Sequence, residues 1–393
     1  MNILFLIKQS FPFGAAYSLR TRAFLEIMTA LGHTATVVCS GGGETESEVA
    51  YLRAHPNVTR VIVPEKHGIA QALAESYEYG KEVDKILDAN KIDLILSASM
   101  HDKIGLILKS SKRTNTPIII ESCEWYHHSS WKNGRLDPRF WAFEYAWSHW
   151  FPKADGYIAI SKLLASHYAE TGKPVVRIPT ILDAKETRPQ LTPPNTDGRI
   201  NLLFAGRFGG TKDDVTPIAC AVDSDDDLKR QFRLNIVGPS RDEVLAHEAM
   251  RVHVDSLERA GALRITGRIP QERIADEYRA ADFGCFIRPN RRSSNAGFST
   301  KLGEGMAAGT PFIVNDTGDI ADYIENGVAG YVFKKAAPEE IAELLRDIAS
   351  QSQNERARMR AKARSTAERC FDWRPYVDTF SQLIENVKES YLD

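Results

Sequence analysis

No excess of positive charge marks this chain. Its 50 lysines and arginines face 52 aspartates and glutamates, and a formal net charge of −2 speaks against nucleic acid as the main partner. Cysteine is sparse. Cys39, Cys123, Cys220, Cys285 and Cys370 are odd in number and share no CxxC spacing, which excludes a disulfide framework and fits reduced thiols in a cytoplasm. HExxH and similar ligand spacings are absent, and the adjacent His127 and His128 cannot both face one ion from regular structure, so no metal is assigned. Long apolar runs are lacking too. Ile3 to Ile7 is cut off by Lys8, too short for a signal peptide or a membrane span, and reads as a first buried strand. These exclusions predict a cytoplasmic protein with at most peripheral contact at the inner face of a membrane. The loop after that strand, SFPFGAAYS, lacks GxGxxG, so a dinucleotide fingerprint is missing where an oxidoreductase needs it.

What is present is an alternation of strand and helix on a scale that needs two cores. A length of 393 residues exceeds what one core usually serves. Asn2–Ile7, Thr34–Cys39, Val61–Val63, Asp93–Ser97, Pro117–Glu121 and Tyr157–Ile160 read as strands with helical segments between them, a βαβ succession that predicts a parallel sheet. Gly14, at the end of the first strand, has two readings: a tight turn, or a point where a ligand approaches bare backbone. The strand ends place His101, Glu121, Cys123 and Glu124 near the crevice where open α/β sheets bind ligands. Residues 140–151 carry aromatics nearly all round a helix, which favours a buried helix; an aromatic lip touching a carbohydrate or lipid-linked acceptor is the other reading. From Ile178 to Arg199, Pro179, Pro189, Pro193, Pro194 and Gly198 interrupt any periodicity and mark a linker.

The second half repeats the pattern and concentrates the chemistry. The strand Ile200–Ala205 runs into GRFGGTKDD, where Arg207 and Lys212 place two cations in a glycine-bearing loop suited to a diphosphate. DSDDD, Asp223 to Asp227, contains a DxD but lies between a helix and a strand, and reads as a solvated acidic turn. NAGFSTKLGEGMAAGTPFIVN, Asn295 to Asn315, reads as loop, helix from about Ser299 to Ala308, closing Gly309, and strand Pro311–Val314. The start of that helix offers unpaired N–H groups and a positive dipole end to a phosphate. Lys301 adds charge there, and Glu304 one turn on suits sugar hydroxyls. A last helix from about Pro375 presents Tyr376, Val377, Phe380, Leu383, Ile384 and Val387 on one face.

Taken in order, GHTATVV (from Gly32), GRFGGTK (from Gly206), IVGPS (from Ile236), ITGRIP (from Ile265), KLGEGMAAGTPFIV (from Lys301) and ENGVAGYVF (from Glu325) resemble the retaining glycosyltransferases of the GT-B fold, in particular family 4. The resemblance implies an α/β fold of two Rossmann-like domains whose parallel sheets face across a cleft: an acceptor domain, 1–178 joined by a C-terminal helix 374–393, and a nucleotide-sugar donor domain, 179–373. It implies transfer of a sugar, with retention, from a nucleotide-diphosphate donor, UDP in the first instance, to a saccharide, lipid-linked or small-molecule acceptor, without metal or other cofactor. Carried over by position, Arg207 and Lys212 would bind the diphosphate, Gly206 and Gly238 would let it approach, and the turn Gly297, Phe298, Ser299, Thr300 would give it backbone amides beside Lys301. Glu304 would hold the ribose, and Arg268 with Ile269 would frame the base. The family's first-domain histidine–aspartate pair falls on Cys123 and Glu124, leaving Glu124 with His101 or His127 as catalytic candidates. Where the family usually has an acidic residue eight positions before the ribose glutamate, this chain has Ala296, which leaves the donor sugar open. A nucleotide-sugar epimerase of the same architecture and a non-catalytic carbohydrate-binding subunit are the alternatives.

Overall fold

The computed structural model describes every residue except 15, 65–68, 190–197, 208–212 and 393, together with the side chains of 16, 69–73 and 392. Lys212 and the Pro193–Pro194 part of the linker therefore lie outside the described residues. The chain divides into two compact units, Met1–Leu182 with Trp373–Asp393, and Asp183–Asp372.

The first unit is built on β1 (Asn2–Leu6), β2 (Thr34–Cys39), β3 (Val58–Ile62), β4 (Leu94–Ala98), β5 (Ile118–Ser122), β6 (Gly156–Ala159) and β7 (Val175–Arg177). They form a seven-stranded sheet in the order β3-β2-β1-β4-β5-β6-β7, with every pairing parallel. The central strands β4 and β5 are buried along their whole length, and their apolar runs Leu94–Leu96 and Ile118–Ile120 suit strands covered on both faces, whereas the edge strands β3 and β7 are half-exposed. The C-terminal helix Val377–Leu392 belongs to this unit. Its Phe380, Leu383, Ile384 and Val387 are buried, and Phe380 meets Phe24 at 5.9 Å between ring centres. Gly156 is a glycine because a Cβ there would lie 2.4 Å from Val387 Cγ2.

The second unit holds β8 (Ile200–Ala205), β9 (Phe232–Val237), β10 (Leu263–Gly267), β11 (Phe283–Phe286), β12 (Phe312–Asn315) and β13 (Gly330–Phe333). Their order, β10-β9-β8-β11-β12-β13, is again wholly parallel. The strand order reverses between β1 and β4 in one unit and between β8 and β11 in the other. At such a reversal the loops leaving neighbouring strands diverge to opposite faces and open a crevice at the carboxyl ends. In the second unit the loops concerned are those after Ala205 and after Phe286. The acidic turn DSDDD is used locally: Asp225 caps the helix Asp226–Gln231, while Asp223 accepts from His253 Nδ1 at 2.8 Å and Ser256 Oγ at 2.6 Å.

Candidate functional site

Three consecutive parallel strands, β8, β9 and β10, end on Gly206, Gly238 and Gly267, each with positive φ (151°, 121° and 75°). The Gly206 N–H donates to Val237 O at 2.8 Å and the Gly238 N–H to Gly267 O at 2.9 Å, so the strand ends step past one another as a ledge of bare backbone. A Cβ on Gly238 would come within 2.4 Å of Gly206 O, which fixes glycine there by contact as well as by conformation. Over this ledge opens a cavity of about 690 Å³ lined by Gly206, Arg207, Gly238, Pro239, Glu243, His247 and Arg268, with Ala246. Arg207 is exposed, and Arg268 reaches toward Glu243 at 3.6 Å. Ile269 is half-buried beside Arg268 and does not line the cavity.

Beneath the ledge lies Lys301. A Cβ on Gly206 would fall 2.3 Å from its Cε, so the lysine stem occupies the space that any other residue at 206 would fill. Its Nζ is 2.7 Å from Asp213 Oδ2, and Arg288 Nε is 3.0 Å from Asp213 Oδ1. Asp213 and Arg288 are both buried. Two cations against one carboxylate leave the triad one unit positive. Reciprocal backbone bonds of 2.7 Å between Asp214 and Ile287 tie the loop after β8 to the end of β11. The Asn315 side chain clamps the Arg288 backbone at 2.7 and 2.8 Å, while Arg288 Nη1 donates to the carbonyls of Ser294 and Gly297.

Those contacts deliver the chain to the helix Thr300–Ala307, which opens without a side-chain cap: Ser299 occupies the cap position, is buried, and its hydroxyl has no partner among the described residues. Uncapped N–H groups, an orphaned buried hydroxyl and a neighbouring ammonium together form an anion seat. Glu304, one turn in, is pushed up to about 7 by burial, against the opposing pull of Lys301, Thr300 and Gln271. Gln271 Nε2 approaches its Oε2 at 3.5 Å, which brings the loop after β10 to the same place.

The remaining sequence candidates divide. The Phe298 side chain is buried against Tyr323 and Phe371, with ring centres 5.3 and 5.7 Å apart, which leaves only its backbone amide to serve a ligand. The sequence could not distinguish a phenylalanine lining the turn from one anchoring it. Asp213 and Arg288 were missed because they meet only through the strand order, which sets the loops after β8 and β11 side by side, and His247 because it reaches the cavity from between two helices after β9, outside any motif.

In the first unit Gly14 (φ 140°) is a turn residue whose Cβ would come 3.0 Å from Ser10 Cβ. Glu121 and Cys123 are committed to a buried cluster. Arg20 Nε binds Glu121 Oε1 at 2.7 Å, Tyr17 donates to Oε2, and the Cys123 thiol, raised by burial, donates to Oε1 at 2.8 Å. Glu124 accepts from the Tyr126 hydroxyl. His101 is packed edge-on to Trp131 and Phe143, and burial lowers its pKa, so its imidazole is neutral at pH 7. Residues 140–151 are only half buried: Phe140, Phe143 and Trp147 face inward, but Trp141 and Tyr145 face solvent, because the helix lies on the surface of the unit.

Comparison with known proteins adds the family. Residues 185–366 match the family "Glycosyl transferases group 1", and residues 20–186 match "Glycosyltransferase Family 4". The chain is a group 1 glycosyltransferase family member of the GT-B fold. Among curated relatives, this group 1 chain is 32% identical over 177 residues to a D-inositol 3-phosphate glycosyltransferase of Streptomyces avermitilis, covering 44% of this chain and 36% of the relative. To a phosphatidyl-myo-inositol mannosyltransferase of Mycobacterium leprae it is 26% identical over 245 residues, 61% of this chain and 62% of the relative. In each case it spans less than two thirds of the relative's length. Solved structures of like fold include a glycosyltransferase from Rickettsia africae (TM-score 0.69, 16% identity, 98% of both chains). Another is Anabaena HepE in complex with UDP and glucose (TM-score 0.65, 16% identity, 98% of this chain and 99% of that one).

Proposed function

We propose that this protein transfers a sugar from a nucleotide diphosphate donor to a saccharide, lipid-linked or small-molecule acceptor, with retention at the sugar carbon and without a metal. The observation that carries the reading is the junction at Gly206. On one side is the cavity lined by Arg207, Gly238 and Arg268; on the other, Lys301 rises from the uncapped helix start at Ser299. Breaking a sugar–diphosphate bond places charge on the leaving phosphate, and fixed donors and cations lower that barrier with no covalent step on the protein. On this reading Arg207, Lys301 and the first amides of the helix take the diphosphate, joined by Lys212, which lies outside the described residues. Glu304 accepts from the ribose hydroxyls, and the cavity beside Arg268 and His247 takes the base. UDP is the nucleotide we favour, as HepE, of like fold, holds UDP. We place the reaction in polysaccharide or glycoconjugate assembly in the cytoplasm.

The test is donor turnover. Incubation with UDP-sugars should release UDP only when an acceptor is added, and the anomeric proton of the product should keep the donor's configuration. Conversion of the donor sugar with no acceptor present would assign the protein to epimerisation instead.

A further inference from the structure

The stretch 132–153 of the first unit turns an aromatic face outward. Leu136 is 89% exposed, Trp141 59% and Tyr145 54%, the largest apolar side chains left open on this segment. They are held there. The Trp141 indole N–H donates to Arg135 O at 2.8 Å, which satisfies its one polar atom and fixes the ring against the turn Gly134–Leu136. Tyr145 stacks on His149 at 4.9 Å, and the Lys153 ammonium lies 4.4 Å over the Trp150 ring. Behind them Phe140, Phe143 and Trp147 are buried, and Trp147 stacks on Trp125 at 4.6 Å, so the face rests on a packed aromatic platform. Nothing about burying the helix explains why its outer side is also aromatic.

The exposed charges around this face are cations. Every exposed charged side chain between 132 and 153 is a cation: Lys132, Arg135, Arg139 and Lys153. Of the two acids of the stretch, Asp137 is buried as the cap of the helix Pro138–Tyr145 and pairs with Arg139 at 2.7 Å, and Glu144 is half-buried, so Lys132, Arg135 and Lys153 carry the positive charge of the face. Rings with a polar edge, set among lysines and arginines, match the chemistry of a bilayer interface: aromatics at headgroup level, cations among lipid phosphates. A second copy of the same face, brought up by a two-fold axis, would oppose cation to cation.

We propose that this face, centred on Leu136, Trp141 and Tyr145, docks the protein on an anionic phospholipid bilayer. The attachment is interfacial. The rings enter the headgroup layer and the helix lies along the surface, in keeping with the absence of any helix among the described residues long and apolar enough to cross a membrane. The inference is independent of which donor the second unit binds.

Co-sedimentation of the full chain with two sets of vesicles tests it, one of phosphatidylcholine mixed with phosphatidylglycerol and one of phosphatidylcholine alone. The wild type should bind the mixed vesicles, release them as salt is raised, and bind the neutral ones at least roughly tenfold less. Lys132→Glu with Arg135→Glu should weaken binding by roughly 30-fold or more, since each basic residue near a charged surface contributes about a factor of five. Leu136→Ser, Trp141→Ser and Tyr145→Ser together should abolish it even at low salt. Circular dichroism melting and UDP titration, which report on fold and on the second unit, should be unchanged in both variants. Failure of the wild type to bind mixed vesicles, equal binding by the variants, or conversion of a dimer to a monomer by Trp141→Ser would each overturn the proposal.

Discussion

Lys301 Nζ lies 2.7 Å from one oxygen of Asp213, and the other oxygen of the same buried carboxylate is 3.0 Å from Arg288 Nε. The pairing joins the loop after β8, the end of β11 and the start of the helix Thr300–Ala307 through three side chains. Removing the carboxylate leaves two partly desolvated cations facing one another. Asp213→Ala should therefore destabilise the protein by about 3 kcal/mol, read as a shift of the urea midpoint with unchanged slope. A loss below about 1 kcal/mol would mean that solvent screens the triad.

Gly206 and Gly238 should respond differently to alanine. At Gly206 the obstacle is the end of a flexible side chain, Lys301 Cε; at Gly238 it is backbone, Gly206 O. Both substitutions incur the cost of positive φ, roughly 1–3 kcal/mol. The steric part at Gly206 should be relieved in the double variant Gly206→Ala, Lys301→Ala, giving a favourable coupling of about 1 kcal/mol, whereas Gly238→Ala with Lys301→Ala should be additive. Equal coupling in the two cycles would refute the packing described for Lys301.

Glu304 makes stability depend on pH. Its carboxyl keeps a proton up to about pH 7 in the folded chain but releases it near 4.5 when unfolded. The folded state then binds more protons between those values, so stability falls as pH rises through that window and is flat above it. Glu304→Gln should remove this slope and stabilise the free protein at pH 8 by up to about 3 kcal/mol relative to pH 5. The same substitution should weaken nucleotide binding at pH 8. Parallel melting curves for both proteins across this range would contradict the assignment.

Phe298, a residue of the motif that packs inward, separates fold from site. Phe298→Ala should lower stability by about 3 kcal/mol through the cavity left beside Tyr323 and Phe371. At a temperature where the variant stays folded, its nucleotide affinity should match the wild type. A selective loss of affinity with little loss of stability would restore Phe298 to the binding surface.

Most strands of both units were legible in the chain because a parallel strand buried on both faces writes itself as a short apolar run, whereas the half-exposed edge strand β7 was not. Ile3–Leu6, Leu94–Leu96 and Ile313–Val314 are of this kind. The helix start at Ser299 and the glycines at 206 and 238 were legible for the same local reason. Asp213 and Arg288 were not, since they lie 75 positions apart and their meeting depends on β8 and β11 being neighbours. Trp141 and Tyr145 were misjudged as interior. Aromatic residues all round a helix do not reveal which side the sheet covers, and a surface helix with an aromatic outer face has the same pattern as a buried one.

The central claim is that the Gly206 ledge and the helix start at Ser299 hold a nucleotide diphosphate with Arg207 and Lys301. Titration calorimetry of UDP, GDP and ADP against the wild type, Arg207→Ala and Lys301→Ala tests it most directly. The wild type should bind one of the three, and each substitution should weaken that binding by roughly tenfold or more, the scale of one charge-assisted contact. No binding of any nucleotide to the wild type, or unchanged affinity in a folded Lys301→Ala, would contradict it.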